Sequence, residues 1–287
     1  RRQRQMCIRD SCVGMHLCTQ VHGISNKARF LPLYITVDLI EGKTQVHCDA
    51  FSKRTVSYRE ACLEMARLFW NSDLEQRCVA ASRTPAKQKL IELKNRYDTP
   101  ENGVLVLVQS DGDTRVVWGG ISDKEIGGYD RAETYYPTQV NVGTPQSPYL
   151  LSLADSGVRI VRIRSNQEVP DYFTELSAKA SDENLQRSSA SGIFKYEDVY
   201  WGIHTKPNDM RYTHSLKESK IDYPKHFFAE KDMIELYPLQ LQPRDDAASW
   251  IFYTNALRDL PIQYNQSTVL PLPLHLAKGL EEYLFKV

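Results

Sequence analysis

The first eighty residues carry two kinds of apolar pattern in succession. Residues 31–40 form a β-branched and aromatic run, and residues 44–50 alternate between apolar and polar side chains after a short polar turn. This arrangement predicts a β-hairpin. Residues 58–79 instead place apolar side chains at helical spacing, and Ser57 with Glu60 three positions later form a capping-box pattern. A helix is therefore predicted to follow the hairpin.

The middle of the chain predicts a second helix and two strands separated by a long insertion. Residues 85–97 begin with a proline, which suits the first turn of a helix. Residues 103–108 are continuously apolar, the pattern of a strand covered on both faces, and residues 157–164 predict another strand. Residues 121–150 are rich in Gly, Pro, Tyr and Thr, which is typical of a long irregular loop. The polar residues 177–191 predict a surface connection.

The last third of the chain returns to the same mixture of elements. It predicts a hairpin over residues 193–205, a strand over 233–241, and helices over 247–257 and 273–285. Hairpins and buried strands with interleaved helices predict an α/β domain with a mixed central sheet flanked by helices.

Composition and charge limit the classes of function. The 287 residues are 41% hydrophobic and 25% charged, which is enough apolar material for a substantial core. Lys and Arg together number 36, as do Asp and Glu, so binding to a polyanion requires a local basic patch. No stretch approaches the roughly 20 apolar residues of a membrane helix. The six cysteines include no CxxC pair, which argues against a disulfide framework or a zinc site and favours a cytoplasmic location.

The beginning of the chain differs from the rest. Residues 1–10 lack apolar periodicity and match the translation of a common transposase-type sequencing adaptor, so we expect a read-through scar there. On this interpretation residues 11–29 are the remnant of an upstream linker. Residues 30–287 are then the folded module, the C-terminal part of a longer protein.

Several short motifs, taken in order, resemble a known family. The most specific is the ending, Val269 to Lys278, where a Pro-x-Pro pair opens the last helix. The others are Asp111 to Arg115 followed by Trp118, Arg162 to Arg164, Glu168 to Pro170, Gly192 to Phe194, and Lys206 with Pro207. Together they resemble the RNase H-like (PIWI) module of the prokaryotic PIWI-RE family, which are relatives of Argonaute. The resemblance covers residues 30–287.

The resemblance implies guide-dependent binding of nucleic acid in a system that defends prokaryotes against plasmids or phages. The implied partners are a guide and a target nucleic acid, a helicase and a nuclease encoded alongside, and no membrane. Two hypotheses follow. The chain is a binding module without efficient cleavage of its own, or it is a Mg²⁺-dependent RNase H-type endonuclease that cuts the guide-paired target strand.

Three residues bear on the choice between these hypotheses. Active RNase H-like sites hold Mg²⁺ between clustered carboxylates. The resemblance implies that Asp38, in a strand-like run, and Asp111, after the apolar strand, are the candidate catalytic residues and metal ligands. A simple Asp-Gly turn is the alternative for Asp111. Lys278 falls where cleaving Argonautes carry a metal ligand, and since an ammonium group cannot bind Mg²⁺, it favours a phosphate contact or a solvated helix lysine.

Further candidates for nucleic-acid binding are basic or lie beside basic residues. Arg162 and Arg164 alternate on one face of a predicted strand, an arrangement that suits phosphate binding. The alternative is pairing with local acids such as Glu168. The resemblance adds Arg115, and implies that the family's invariant Arg and Glu are among these four residues or that the Glu is in 281–282.

Overall fold

The computed structural model describes residues 11–21, 28–69, 85–101, 103–111, 118–123, 139–143, 147–165, 169–170, 172–177, 186–187, 192–203, 226–231, 233–260 and 267–285. Its strands are β1 (Ser11–Val21), β2 (Ala28–Asp38), β3 (Thr44–His47), β4 (Thr55–Ser57), β5 (Val104–Gln109), β6 (Gln139–Asn141), β7 (Leu150–Ser152), β8 (Val158–Arg164), β9 (Tyr172–Ser177), β10 (Gln186–Arg187), β11 (Gly192–Tyr196), β12 (Val199–Ile203), β13 (His226–Lys231) and β14 (Met233–Gln240). Its helices are α1 (Tyr58–Phe69), α2 (Pro85–Arg96), α3 (Ala247–Ala256) and α4 (Leu272–Phe285), with a short 3₁₀ helix at Gly119–Ile121.

Nine of these strands form one mixed sheet in the order β11-β12-β14-β8-β5-β1-β2-β3-β4. The three central strands β8, β5 and β1 are parallel, and the other neighbouring pairs are antiparallel. Every residue of β5 and β8 is buried, so both strands are covered on both faces. Two smaller sheets have the orders β10-β9-β13 and β6-β7.

Helices cover both faces of the large sheet. Along β5, Val104, Val106 and Val108 belong to the core that includes α2, whereas Leu105 and Leu107 belong to the core that includes α3 and the start of α4. The end of α4 packs with α1 in a third part of the core. The alternation along β5 therefore defines one face towards α2 and an opposite face towards α3 and α4.

The first turn of α4 lies unusually close to β1. A Cβ atom added to Gly14 would lie 2.8 Å from the Cβ and carbonyl carbon of Pro273. Glycine at this position therefore allows the helix to approach the central strand. The contact places the even-numbered side chains of β1 on the face of the sheet that α4 covers.

The structure confirms the predicted fold class, and several elements match their predicted positions. The two hairpins are β2-β3 and β11-β12, and the second turns at Glu197, which has a φ of 52°. Ser57 and Glu60 form the predicted capping box, with the Ser57 hydroxyl 2.8 Å from the Glu60 carboxylate. Part of the predicted insertion is not irregular, because β6 and the start of β7 pair within it.

One boundary requires correction. Residues 11–29, assigned from sequence to an upstream linker, contain β1, which pairs with β2 along its whole length and with β5. The sheet therefore includes residues upstream of Phe30. The predicted helix over 58–79 is described only to Phe69, and the predicted scar at residues 1–10 lies outside the described residues. None of the helices in the described part of the chain is both long and apolar enough to span a membrane.

Candidate functional site

Polar side chains meet where the central parallel strands β5 and β8 end. Met15 of β1 is level with Val108 of β5, so His16 lies beside Gln109, the last residue of that strand. Asp111 follows β5, and Ser165 follows β8, which is the neighbouring strand. Since β1 continues past this point, its middle borders the carboxyl ends of the other two strands.

A continuous set of hydrogen bonds crosses this edge and reaches helix α4. We call Ser165, Asp111, Gln109, His16 and Glu281 the edge network. The Asp111 carboxylate accepts from the Ser165 backbone N at 2.8 Å and its hydroxyl at 2.7 Å, and from Gln109 Nε2 at 2.8 Å. Gln109 Oε1 lies 2.8 Å from His16 Nδ1, and His16 Nε2 lies 3.1 Å from Glu281 Oε2. Three strands and one helix thus contribute to the network.

The donors and acceptors of the edge network fix the tautomer of His16. An ionised Asp111 only accepts hydrogen bonds, so the amide nitrogen of Gln109 must face it. The amide oxygen of Gln109 then faces His16, whose Nδ1 must carry a proton to donate. In the neutral ring Nε2 is therefore an acceptor, and it faces the acceptor oxygen of Glu281 at 3.1 Å. A proton or a cation at this position removes the conflict.

Asp38 lies at the other end of the sheet. It ends β2 and is paired with Ser11, which is also level with Val104 at the start of β5. Asp111 lies seven residues further along, which is roughly 23 Å at the rise of a β-strand. One carboxylate oxygen of Asp38 accepts from the backbone N atoms of Ile40 at 3.0 Å and Glu41 at 2.8 Å. The structure therefore does not bring Asp38 and Asp111 together, and Asp38 caps the turn after β2.

Arg162 and Arg164 are buried arginines that form ion pairs with the exposed Asp123 and the largely buried Glu235. Arg162 donates to Asp123 at 2.7 Å and to Glu235 at 2.5 Å, and Arg164 donates to Asp123 at 2.6 Å. Their side chains are only 3% and 10% exposed, because β8 is covered by its neighbours on both faces. Burial opposes ionisation of Asp123, but hydrogen bonds from both arginines outweigh it and lower the pKa of the carboxyl group. Among the described residues, Asp123 and Glu235 form ion pairs with these arginines.

Lys278 lies on the exposed side of α4, one turn before Glu281. Its charge contributes, after burial, to lowering the pKa of His275 on the preceding turn. Lys278 is thus an exposed cation on the helix that closes the edge network. The other two predicted contacts, Arg115 and Glu168, lie outside the described residues.

His16, Cys18 and Gln109 were not predicted from the sequence as site residues. Cys18 is buried two residues after His16 and therefore points to the same side of β1. A signal was present, since residues 11–21 alternate in a way that suits a strand, but they were assigned to a linker. Glu281 was named only as a candidate for the family's glutamate.

The side chains at the edge do not fit a centre with two Mg²⁺ ions. Such a centre needs several carboxylate or carbonyl oxygens free to bind metal. Among the described residues, both oxygens of Asp111 already accept hydrogen bonds, and the neighbouring side chains include His16 and Cys18. Nitrogen and sulfur are poor ligands for Mg²⁺. Among the residues described, the donor set therefore differs from that of an RNase H-type nuclease.

Strand order and the closing helix together define an RNase H-like fold. The first strand, β1, is central: the antiparallel strands β2 and β3 follow on one side, the parallel strands β5 and β8 extend the sheet on the other, and the last helix packs on β1. The model of a family described as the RNase H domain of pPIWI_RE matches residues 12–286. The chain belongs to this family. The match extends upstream of Phe30 and agrees with the inclusion of β1 in the fold.

Comparison with solved structures also finds Argonaute. The chain is similar to the X-ray structure of Marinitoga piezophila Argonaute in complex with a 5′ OH guide RNA and target DNA, with 13% identity and a TM-score of 0.41. The similarity covers 97% of this chain and 31% of that protein, so the chain spans about a third of its length. No curated protein matches the chain significantly.

Proposed function

We propose that this domain binds a guide–target nucleic-acid duplex and does not cleave it efficiently. Membership of the pPIWI_RE family supports a role in nucleic-acid binding. The observation that carries the proposal is the kind of side chain that lies at the carboxyl ends of β5 and β8, where metal ligands would be needed for cleavage. There, a histidine borders the end of β5, and Asp111 is held by Ser165 and Gln109. These contacts give Asp111 a structural role, and they favour binding over hydrolysis.

Lys278 is the residue that we assign to a phosphate contact. It is exposed, it belongs to the helix that lies over the central strand, and its ammonium group is a flexible donor suited to phosphate oxygens. Arg162 and Arg164 are themselves buried and would have to break their ion pairs with Asp123 and Glu235 before they contacted a phosphate. We therefore assign them to positioning β8 against β14 and the segment that contains Asp123.

Cleavage of a bound target then belongs to a partner. A helicase and a nuclease encoded alongside would act on nucleic acid that this domain holds, as part of defence against plasmids or phages. The alternative is a Mg²⁺-dependent endonuclease. It gains no support from Asp38, which lies roughly 23 Å along the sheet from Asp111.

Binding of a fluorescently labelled guide–target duplex, measured by anisotropy at several salt concentrations, tests the proposal. Lys278→Ala should weaken binding for all sequences and reduce the slope of log K against log salt by about 1. Lys195→Ala is the matched control, because Lys195 is exposed on β11, five strands from β1 and roughly 24 Å away across the sheet. The control should leave both affinity and slope unchanged.

Incubation of the same duplex with Mg²⁺ or Mn²⁺ tests the alternative. We expect no metal-dependent product. Target cleavage that is lost in a folded Asp111→Asn chain would establish the endonuclease instead. Equal effects of the Lys278 and Lys195 substitutions would remove the assigned phosphate contact, and salt-independent or absent duplex binding would overturn the proposed function.

A further inference from the structure

The edge network ends at a group of three side chains whose chemistry suits a metal other than Mg²⁺. The ligand atoms of His16, Cys18 and Glu281 lie within 4.8 Å of one another. We propose that these residues bind one transition-metal ion of the zinc class. Imidazole nitrogen, thiolate sulfur and carboxylate oxygen are the three ligand types that Zn²⁺ takes in proteins.

The geometry needs little change to admit such an ion. In a tetrahedral zinc site, bonds of about 2.0–2.3 Å place ligand atoms roughly 3.3–3.6 Å apart. His16 Nε2 and Glu281 Oε2 are already 3.1 Å apart. His16 and Cys18 come from alternate positions of one rigid central strand, and Glu281 comes from α4, which packs against that strand. The three side chains could therefore surround a metal ion by adjusting their own conformations, without any rearrangement of the sheet.

The surrounding hydrogen bonds orient His16 for metal binding. Histidine ligands usually donate their second ring nitrogen to a nearby acceptor, which fixes the tautomer and the ring orientation. Here Asp111 orients Gln109, and Gln109 accepts from His16 Nδ1. The lone pair of Nε2 is consequently directed towards Glu281. With a neutral His16, a cation between Nε2 and the Glu281 carboxylate would be bound by both groups.

Charge balance also favours a divalent ion. A thiolate at Cys18, a carboxylate at Glu281 and a neutral His16 together carry two negative charges, which a divalent ion neutralises. Binding releases the thiol proton of Cys18 to solvent. Neutrality matters because Cys18 is fully buried and His16 is 9% exposed, where an uncompensated charge is costly. Three protein ligands leave one tetrahedral position for water or another ligand.

The spacing of cysteines along the sequence argued against zinc, but that argument considers local motifs only. The ligands do not form a local motif, since Glu281 is separated from His16 by 265 positions. Only the packing of α4 on β1 brings them together. The proposed metal site is independent of the proposed nucleic-acid binding, so it can be tested on the chain without a guide or target.

Titration of the full 287-residue chain with Co²⁺ and Zn²⁺, after reduction with a phosphine, tests the site. Cobalt should bind at one equivalent with a sulfur-to-cobalt charge-transfer band and the intense visible bands of tetrahedral coordination. Zinc should displace it, and excess Mg²⁺ should not. Cys18→Ser should abolish the charge-transfer band, whereas Cys48→Ser, which replaces another fully buried cysteine, should retain it.

A second set of variants keeps the test decisive if Cys18→Ser unfolds. Glu281→Gln should weaken Co²⁺ binding by at least about tenfold. The control Glu282→Gln alters the adjacent exposed carboxylate and should leave binding unchanged. Far-ultraviolet circular dichroism verifies that each variant is folded. The proposal is overturned by folded wild-type chain that binds no stoichiometric cobalt, by a band that survives Cys18→Ser, or by equal effects of the two glutamate substitutions.

Discussion

Replacing Asp111 by asparagine should reverse the direction of the hydrogen bonds in the edge network. The asparagine oxygen can still accept from the Ser165 backbone N, which places its NH₂ group towards Gln109. Gln109 must then turn its amide oxygen to this new donor and its NH₂ group to His16. As a result His16 Nδ1 becomes the acceptor, and the proton moves to Nε2, where it donates to Glu281.

The expected change in stability is small because losses and gains oppose each other. The three hydrogen bonds to Asp111 change from charge-assisted to neutral, at a cost of about 1 kcal/mol each. The new bond from His16 Nε2 to the Glu281 carboxylate is charge-assisted and contributes about 1.5–3 kcal/mol. The net destabilisation of Asp111→Asn is therefore about 1 kcal/mol. Asp111→Ala removes every acceptor and leaves Ser165 and Gln109 unpaired, at a cost of about 3–5 kcal/mol.

Two measurements check this reasoning. Long-range ¹H–¹⁵N correlation of the imidazole identifies which nitrogen of His16 carries the proton, and urea unfolding gives the stability of each variant. The wild type should carry a proton on Nδ1, and Asp111→Asn should carry one on Nε2 alone. Retention of the Nδ1 proton in a folded Asp111→Asn chain would show that Asp111 does not control His16 through Gln109. Equal destabilisation by Asp111→Asn and Asp111→Ala would contradict the expected compensation of the weakened bonds at position 111 by the new bond from His16 to Glu281.

Two further substitutions test the packing and the electrostatics of α4. Gly14→Ala should destabilise the chain by about 1–3 kcal/mol in urea unfolding, because the added methyl group would clash with Pro273 in the first turn of α4. Gly192→Ala is the control and should be nearly neutral, because no atom lies within 4 Å of the position of its added methyl group. Lys278→Ala should raise the pKa of His275, followed by NMR, because burial lowers that pKa first and the lysine charge lowers it further. Because the pKa of His275 is lowered in the folded state, the free energy of unfolding should fall as the pH drops below 6.5, the ordinary pKa of histidine. Lys278→Ala should reduce this loss of stability. A His275 pKa that is unchanged in Lys278→Ala would contradict the influence of the Lys278 charge on His275.

Local sequence patterns predicted the strands and helices that are uniformly buried or that begin with a recognisable capping signal. The run at residues 103–108 was recognisable as a strand because β5 is covered on both faces and has no polar side to interrupt it. The capping box at Ser57 and the proline at the start of α2 are local signals, and both helices begin there. By contrast, β1 contains His16 between apolar residues, and its pattern was assigned to a linker. The central position of β1 depends on its pairing with β2 and β5, and a local sequence pattern cannot predict pairing between distant segments.

The candidate site was less predictable because its residues are joined by packing between distant segments. Asp38 had the right residue type in a strand-like run, but the register places it at the opposite end of the sheet from Asp111. For Arg162 and Arg164, the alternation along one strand correctly predicted a shared face. The same pattern suits phosphate or carboxylate partners. In the structure Asp123 pairs with both arginines and Glu235 pairs with Arg162, and both acids come from other parts of the chain. These ion pairs depend on packing between segments that are distant in the sequence, and the pattern along β8 alone does not contain that information.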